Sequence, residues 1–423
     1  MSDSRVTHAL RTFRKDRPEP LGAPDTHDHA DVAAMLRELG IALVEVEQPT
    51  NQIAVRLRQI AARYTTAKVS VVVLPTVLMI QIGTAAYEVD VTTRITTQLN
   101  LAGRIDAIAE LAEAGAISPV DAVEAVAAAR RTAPRFGPVT GVVGYAITTL
   151  GFGLVMNPTW ASLWGYVFLG TVVGVIVVAA RPYPSLRPVV PPVSALVVTL
   201  LATWFVADAA NDGLLRVITP ALVAVLPGIA LTIGALELAS SAIIAGSSRV
   251  VFGVTQLGLM VFGLAAGLHI AGPLASQDPS AQMGSWSLYV AIVVIGVGLY
   301  IYLSGPPGSL IWLTAAVAVA LLGQQFGGLF LSSSHSAAVG AFLVVPFVMV
   351  VRHVKGAPPG IVLMLVAFWT LVPGALGFES LSEAATHVDP DVTTLGVTVA
   401  AIFSIALGTL LGWSVFHARL RRF

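Results

Sequence analysis

The sequence has no cysteine and few charges. With none of the former, disulfides and thiolate metal sites are excluded. Only 11% of the 423 residues are charged, and 24 Lys and Arg balance 24 Asp and Glu. Soluble globular domains carry about a quarter charged residues, so this chain is not one throughout. A net charge of zero gives no whole-chain argument for nucleic acid. No nucleophile elbow, phosphate loop or zinc signature is present. No secretory signal is visible, because the first long apolar span begins only after some 137 mostly polar residues. What the chain has in quantity is apolar residues, 56% of the total, with a mean hydropathy of +0.81.

One apolar stretch is the point of departure. Val217 to Ser241 is long enough to cross a bilayer, yet it holds Pro227-Gly228 near its middle and Glu237 further on. Proline in a helix removes a backbone hydrogen bond and crowds the preceding turn. In lipid, broken backbone is tolerated only where protein covers it or water reaches it. A carboxylate there is costly, and so is a functional candidate. The device recurs 146 residues later, where Pro373-Gly374 is followed by Glu383. In both copies the acid stands nine residues after the glycine.

Ten apolar stretches read as spans: 139–156, 160–180, 189–207, 215–238, 250–271, 288–303, 310–326, 337–354, 360–378 and 392–416. With the N-terminal region placed in the cytoplasm, Arg181, Arg187, Arg249, Arg352, Lys355, Arg419, Arg421 and Arg422 lie on the inner side. Only Arg216 lies outside, as the positive-inside rule requires. The outer loops hold Asp208, Asp212, Asp278, Glu379, Asp389 and Asp391. Ten spans with a 146-residue offset make two halves of five. Five is odd, so the second half is inserted upside down, the inverted-repeat plan of many secondary transporters.

The expected fold is therefore mainly α. It is a polytopic membrane protein of ten helices in two inverted five-helix repeats, 138–272 and 286–423. A small α+β cytoplasmic domain spans 28–137, and a disordered basic tail covers 1–27. Within the domain, helices are expected at 28–47 and 50–64, strands at 69–74, 77–82 and 87–92, and helices at 99–114 and 119–131. Ser118-Pro119 starts the last helix with an N-cap residue and then proline. His27-Asp28-His29 with Asp31 has metal-ligand chemistry. An acidic helix entry explains the same residues, and no further ligand cluster completes a site.

These residues carry a family resemblance. Val69-Ser70-Val71, Leu74-Pro75-Thr76, Thr93-Arg94-Ile95, Asn100-Leu101 and Ile117-Ser118-Pro119 stand in order in the first region. Leu226-Pro227-Gly228, Leu231-Thr232, Glu237-Leu238, Gly246 and Arg249 follow, then Leu371-Val372-Pro373-Gly374 and Gly377-Phe378. In this order the chain resembles the threonine/serine exporter family in its fused single-chain form, apart from the run Tyr64 to Lys68, which lacks a glycine-bearing link. The resemblance implies ten helices and a multi-pass protein of the cell membrane with both termini in the cytoplasm. It also implies export of threonine and serine driven by the proton gradient.

The site residues expected from the helix breaks are Pro227, Gly228, Pro373 and Gly374, whose half-helix N-termini can hold a carboxylate. Glu237 and Glu383 can hold an ammonium or the coupling proton, and Arg249, Gln256 and Asp208 are lesser polar candidates. The expected partners are threonine, serine, protons and membrane lipid, with no nucleic acid and no cofactor. A homo-oligomer is compatible with this plan. The alternatives are an exporter of dicarboxylates or other small metabolites, or a membrane protein whose N-terminal domain is a hydrolase or ligand sensor. The intramembrane residues offer no Ser/His/Asp or metal constellation for an enzyme.

Overall fold

The computed structural model describes residues 19–90, 98–206, 213–272, 281–371 and 392–420. By its internal contacts the chain divides into two compact units. The first holds residues up to Arg135 together with Glu237–Ser248 and Val348–Leu363. The second holds Phe136–Leu236, Arg249–Phe347 and Met364–Phe423.

In the first unit, α1 (His29–Glu45) and α2 (Thr50–Tyr64) precede β1 (Val69–Val73), β2 (Val77–Ile82) and β3 (Ala85–Asp90). Helices α3 (Leu99–Ala114) and α4 (Pro119–Arg131) follow. All seven elements start and end within two residues of the expected bounds. The sheet is antiparallel in the order β1-β2-β3. Its alternation buries Val71, Val73, Leu78, Ile80 and Ile82 and exposes the opposed pair Val72 and Met79. The buried face packs against α1 and α2, whose Met35, Leu36, Leu39, Leu43, Ile53, Leu57 and Ile60 are fully buried.

Asp28 caps α1, its side chain accepting from the Ala30 amide, and Ser118 caps α4 through the Asp121 amide. His29 pairs with the Thr65 hydroxyl at 3.1 Å, and His27 packs on the Tyr64 ring. Among the described residues no group of three or more His, Asp or Glu is placed to hold a metal. Arg56, from α2, bonds Asp106 and Glu113 of α3. Burial alone would lower the Arg56 pKa; the two carboxylates outweigh it and hold the guanidinium above its ordinary value. Arg130 joins Glu38 at 2.7 Å and Glu45 at 2.9 Å.

The rest of the chain, most of it in the second unit, is built from apolar helices. Helices α5 (Pro138–Val155), α6 (Ser162–Ala180), α10 (Ile243–Ala271), α12 (Leu310–Gly327) and α15 (Val392–Leu420) each contain a stretch long and apolar enough to cross a membrane. The shorter apolar helices are α7 (Val190–Leu201, continuing to Val206), α9 (Gly228–Ala239), α11 (Ser287–Tyr302), α13 (Ser333–Val351) and α14 (Gly360–Leu371). Helix α8 (Leu214–Leu222) precedes α9. Every one of the ten expected stretches thus holds an apolar helix. The second half of the ninth falls outside the described residues.

Glycine pairs fix how several helices meet. On α10, a Cβ at Gly263 would strike the Pro192 carbonyl, and one at Gly267 would lie 3.1 Å from the Leu196 carbonyl. Both numbers rise by four together, so α7 and α10 run parallel. On α15, a Cβ at Gly408 would strike the Ala338 carbonyl, and one at Gly412 would lie 3.0 Å from the Phe342 carbonyl. So α13 and α15 also run parallel, through the same four-residue step. By contrast, Gly144 meets Tyr302, Thr148 meets Gly298 and Gly151 meets Ile295, so α5 and α11 run antiparallel.

A short bridge ties the end of α5 to the segment before α11. The Met283 amide donates to the Pro158 carbonyl at 2.9 Å, and the Gly284 amide to Asn157 Oδ1 at 2.8 Å. Asn157 Nδ2 in turn donates to Gln282 Oε1 at 3.0 Å.

Candidate functional site

The fourth apolar stretch is interrupted where Pro227-Gly228 stands. Helix α8 ends at Leu222, residues 223–227 form a turn, and α9 begins at Gly228. The turn is tight: the Val225 and Leu226 amides both donate to the Leu222 carbonyl, at 2.8 and 3.0 Å. Pro227 has no amide hydrogen, and its carbonyl accepts from Leu231 as the first bond of α9. The amides of Gly228, Ile229 and Ala230 form the first turn of α9. Helix geometry gives them no acceptor within the helix and a positive dipole end. Pro220 lies inside α8 without ending it; the chain opens only after Leu222.

Two side chains hold the opened backbone. Tyr145 of α5 donates its hydroxyl to the Ala221 carbonyl at 2.9 Å. Gln256 of α10 donates to the Val225 carbonyl at 3.0 Å. Gln256 is thus a support of the break. Tyr145 is a site residue that sequence reasoning missed, because nothing in its neighbourhood of apolar and small residues marks it. Its ring meets Tyr302 edge-on at 5.0 Å, and Tyr302 meets Trp369 at 6.2 Å. Trp369 stands in the last turn of α14, just before Val372-Pro373-Gly374. An aromatic chain therefore runs from the first break to the approach of the second motif.

Several buried polar atoms of this unit have no hydrogen-bond partner among the described residues: the hydroxyls of Thr149, Ser194, Thr203 and Thr232, and the indole nitrogen of Trp369. Thr232 lies one turn into α9 and is 0% exposed. An apolar interior makes each such group costly, so each is a candidate partner for a polar ligand or an ordered water.

Glu237 is the third feature. It is 0% exposed, and its Oε1 accepts the Thr50 amide at 2.7 Å. Thr50 is the first residue of α2 and is itself 2% exposed. Both groups belong to the first unit. Arg249 is half-buried in α10. Asp208, Pro373, Gly374 and Glu383 lie outside the described residues.

The sequence matches the family described as threonine/serine exporter (ThrE) over residues 34–271, more than half of the chain. The matched region takes in the α/β region and the first five apolar stretches, and it stops at Ala271, the last residue of α10. Neither the curated proteins nor the solved structures contain a match to the chain. With its apolar helices and this match, the chain belongs to the threonine/serine exporter family, a family of membrane transport proteins.

Proposed function

We propose that the protein is a secondary transporter that exports threonine and serine across the cell membrane in exchange for protons. The observation that carries this reading is the opened helix at 223–227. It presents the first-turn amides of Gly228, Ile229 and Ala230, which helix geometry leaves without an acceptor inside α9, and one turn further the Thr232 hydroxyl, which has no partner among the described residues. A hydroxy amino acid offers a carboxylate for the helix N-terminus and a hydroxyl for such a partner. Pro373 and Gly374 would build the counterpart in the second half. Glu237 and Glu383 would hold the ammonium or the coupling proton, and Arg249, Gln256 and Asp208 would shape the polar path.

Two observations support the inverted-repeat plan. The glycine pairs on α10 and α15 stand 145 residues apart, and the carbonyls they meet stand 146 apart. The offset of the carbonyls is that of the Pro-Gly motifs. Helices α5 and α11, first in each half, pack antiparallel. The cytoplasmic placement of domain 28–137 is supported by the first unit. It gathers the N-terminal residues with 237–248 and 348–363, the connections that the charge pattern puts inside.

The test is threonine flux in reconstituted vesicles with and without an imposed pH gradient. Flux that follows the gradient, is competed by serine and loses its coupling in Glu237→Gln is the expected result. Gradient-independent flux would refute proton exchange, and dicarboxylate movement without threonine movement would refute the substrate.

A further inference from the structure

The N-terminal region holds an acid that the transport reading needs. Helix α2 begins after Pro49, which has no side-chain polar group and makes no capping bond. The first amide of the helix, on Thr50, therefore finds no acceptor nearby in the sequence. It finds one 187 residues away, in Glu237. The carboxylate gains a charge-assisted bond and the positive end of a helix dipole. Neither group has solvent to fall back on, since Glu237 is 0% and Thr50 2% exposed.

The other end of the same helix is the break. Helix α9 is continuous from Gly228 to Ala239. Nine residues separate Gly228 from Glu237, about 14 Å of rigid rise. A shift of the half-helix at Pro227 therefore reaches the Glu237 carboxylate with little loss, and the reverse holds by linkage.

We infer that the main-chain amide of Thr50 is a positioning group of Glu237, and that through it the N-terminal domain sets the placement of half-helix α9. The inference rests on the transport reading only for its consequence, which is control of flux by the domain. The joint itself stands on the contact.

The experiment uses the full chain in lipid nanodiscs and three substitutions. Thr50→Pro deletes the amide hydrogen at the first helical position, where proline is well accommodated, and the extended backbone of Pro49 suits a following proline. Thr50→Val keeps the amide and removes the hydroxyl. Glu237→Ala removes the acceptor. Peptide-resolved hydrogen exchange is read over residues 50–57 and 228–239.

Glu237→Ala is expected to raise exchange in the first turn of α2 about tenfold, the loss of one bond to a charged group. Thr50→Pro is expected to raise exchange across α9 and to lower the maximal rate of threonine flux about tenfold with little change in KM. Thr50→Val changes neither. Wild-type exchange across α9 in Thr50→Pro, or at 50–57 in Glu237→Ala, would overturn the inference. If both exchange effects appear while the unaltered protein moves no threonine, the joint holds and the substrate reading falls. If Glu237→Ala stops flux while Thr50→Pro transports normally, Glu237 acts without the domain and the inference fails.

Discussion

Tyr145 gives its hydroxyl hydrogen to the carbonyl of Ala221, the last-but-one residue of α8, at 2.9 Å. A helix that opens in an apolar interior leaves carbonyls without amides, and this one is satisfied from a neighbouring helix. Tyr145→Phe keeps the ring and its contact with Tyr302 but strands the Ala221 oxygen. The expected cost is about 1–3 kcal/mol, read as a lower melting temperature, together with slower threonine flux. Unchanged melting and flux would show that the break does not depend on this bond.

Thr232 calls for the opposite sign. Its buried hydroxyl has no partner among the described residues, so Thr232→Val removes an unsatisfied group without changing the shape much. Melting should hold or rise by up to about 1–3 kcal/mol of stability, while threonine affinity falls. Lower stability with normal affinity would place Thr232 in packing alone.

The glycine pairs predict a steric result. Gly408→Val and Gly263→Val each drive a side chain into a neighbouring carbonyl, of Ala338 and Pro192 respectively. Each should destabilise by roughly 1–3 kcal/mol or more and reduce the yield of monodisperse protein. Val at Gly258, where a Cβ meets nothing within 4 Å, is the matched control.

In the N-terminal domain, Arg56→Met leaves the Asp106 carboxylate without its cation. The side chains are 15% and 10% exposed. Breaking such a pair from one side costs about 3–5 kcal/mol, so the exchange protection of α2 and α3 should collapse together. Replacing Arg56 and Asp106 together with apolar residues of similar volume should restore much of it.

Tyr64 sets an alkaline limit. Burial lifts its phenol above the ordinary value of 10.0, and its hydroxyl donates to the Ile117 carbonyl at 2.7 Å. A folded pKa above the unfolded one means the stabilisation is whole below about pH 10 and is withdrawn as pH rises through the raised value. Thermal melting against pH should show that alkaline loss in the native chain and less of it in Tyr64→Phe.

Local signals made much of this fold legible. Ser118-Pro119 marks the start of α4, alternation marks the strands, and Pro227-Gly228 marks the break. Proline alone is a poor guide: Pro346 sits inside α13 and Pro220 inside α8, and both helices continue. Gly408 and Gly412 repeat the spacing of Gly263 and Gly267 at almost the motif offset, but that spacing does not specify which carbonyls each pair meets. The partners of Tyr145, Glu237 and Trp369 were not legible. Each depends on a residue many tens of positions away, and nothing local to an isolated tyrosine or glutamate specifies which helix end it will reach.

The bridge at Asn157, Pro158, Gln282, Met283 and Gly284 has a consequence for the order of synthesis. Residues 157–159 leave the ribosome more than a hundred residues before 282–284, and their carbonyl and amide groups wait for those partners. When they arrive, three hydrogen bonds fix where α11 starts beside α5. The register between α5 and α11 is thus written in non-covalent contacts just after the end of one and just before the start of the other. A cut in the chain between 272 and 282 would leave that register in place.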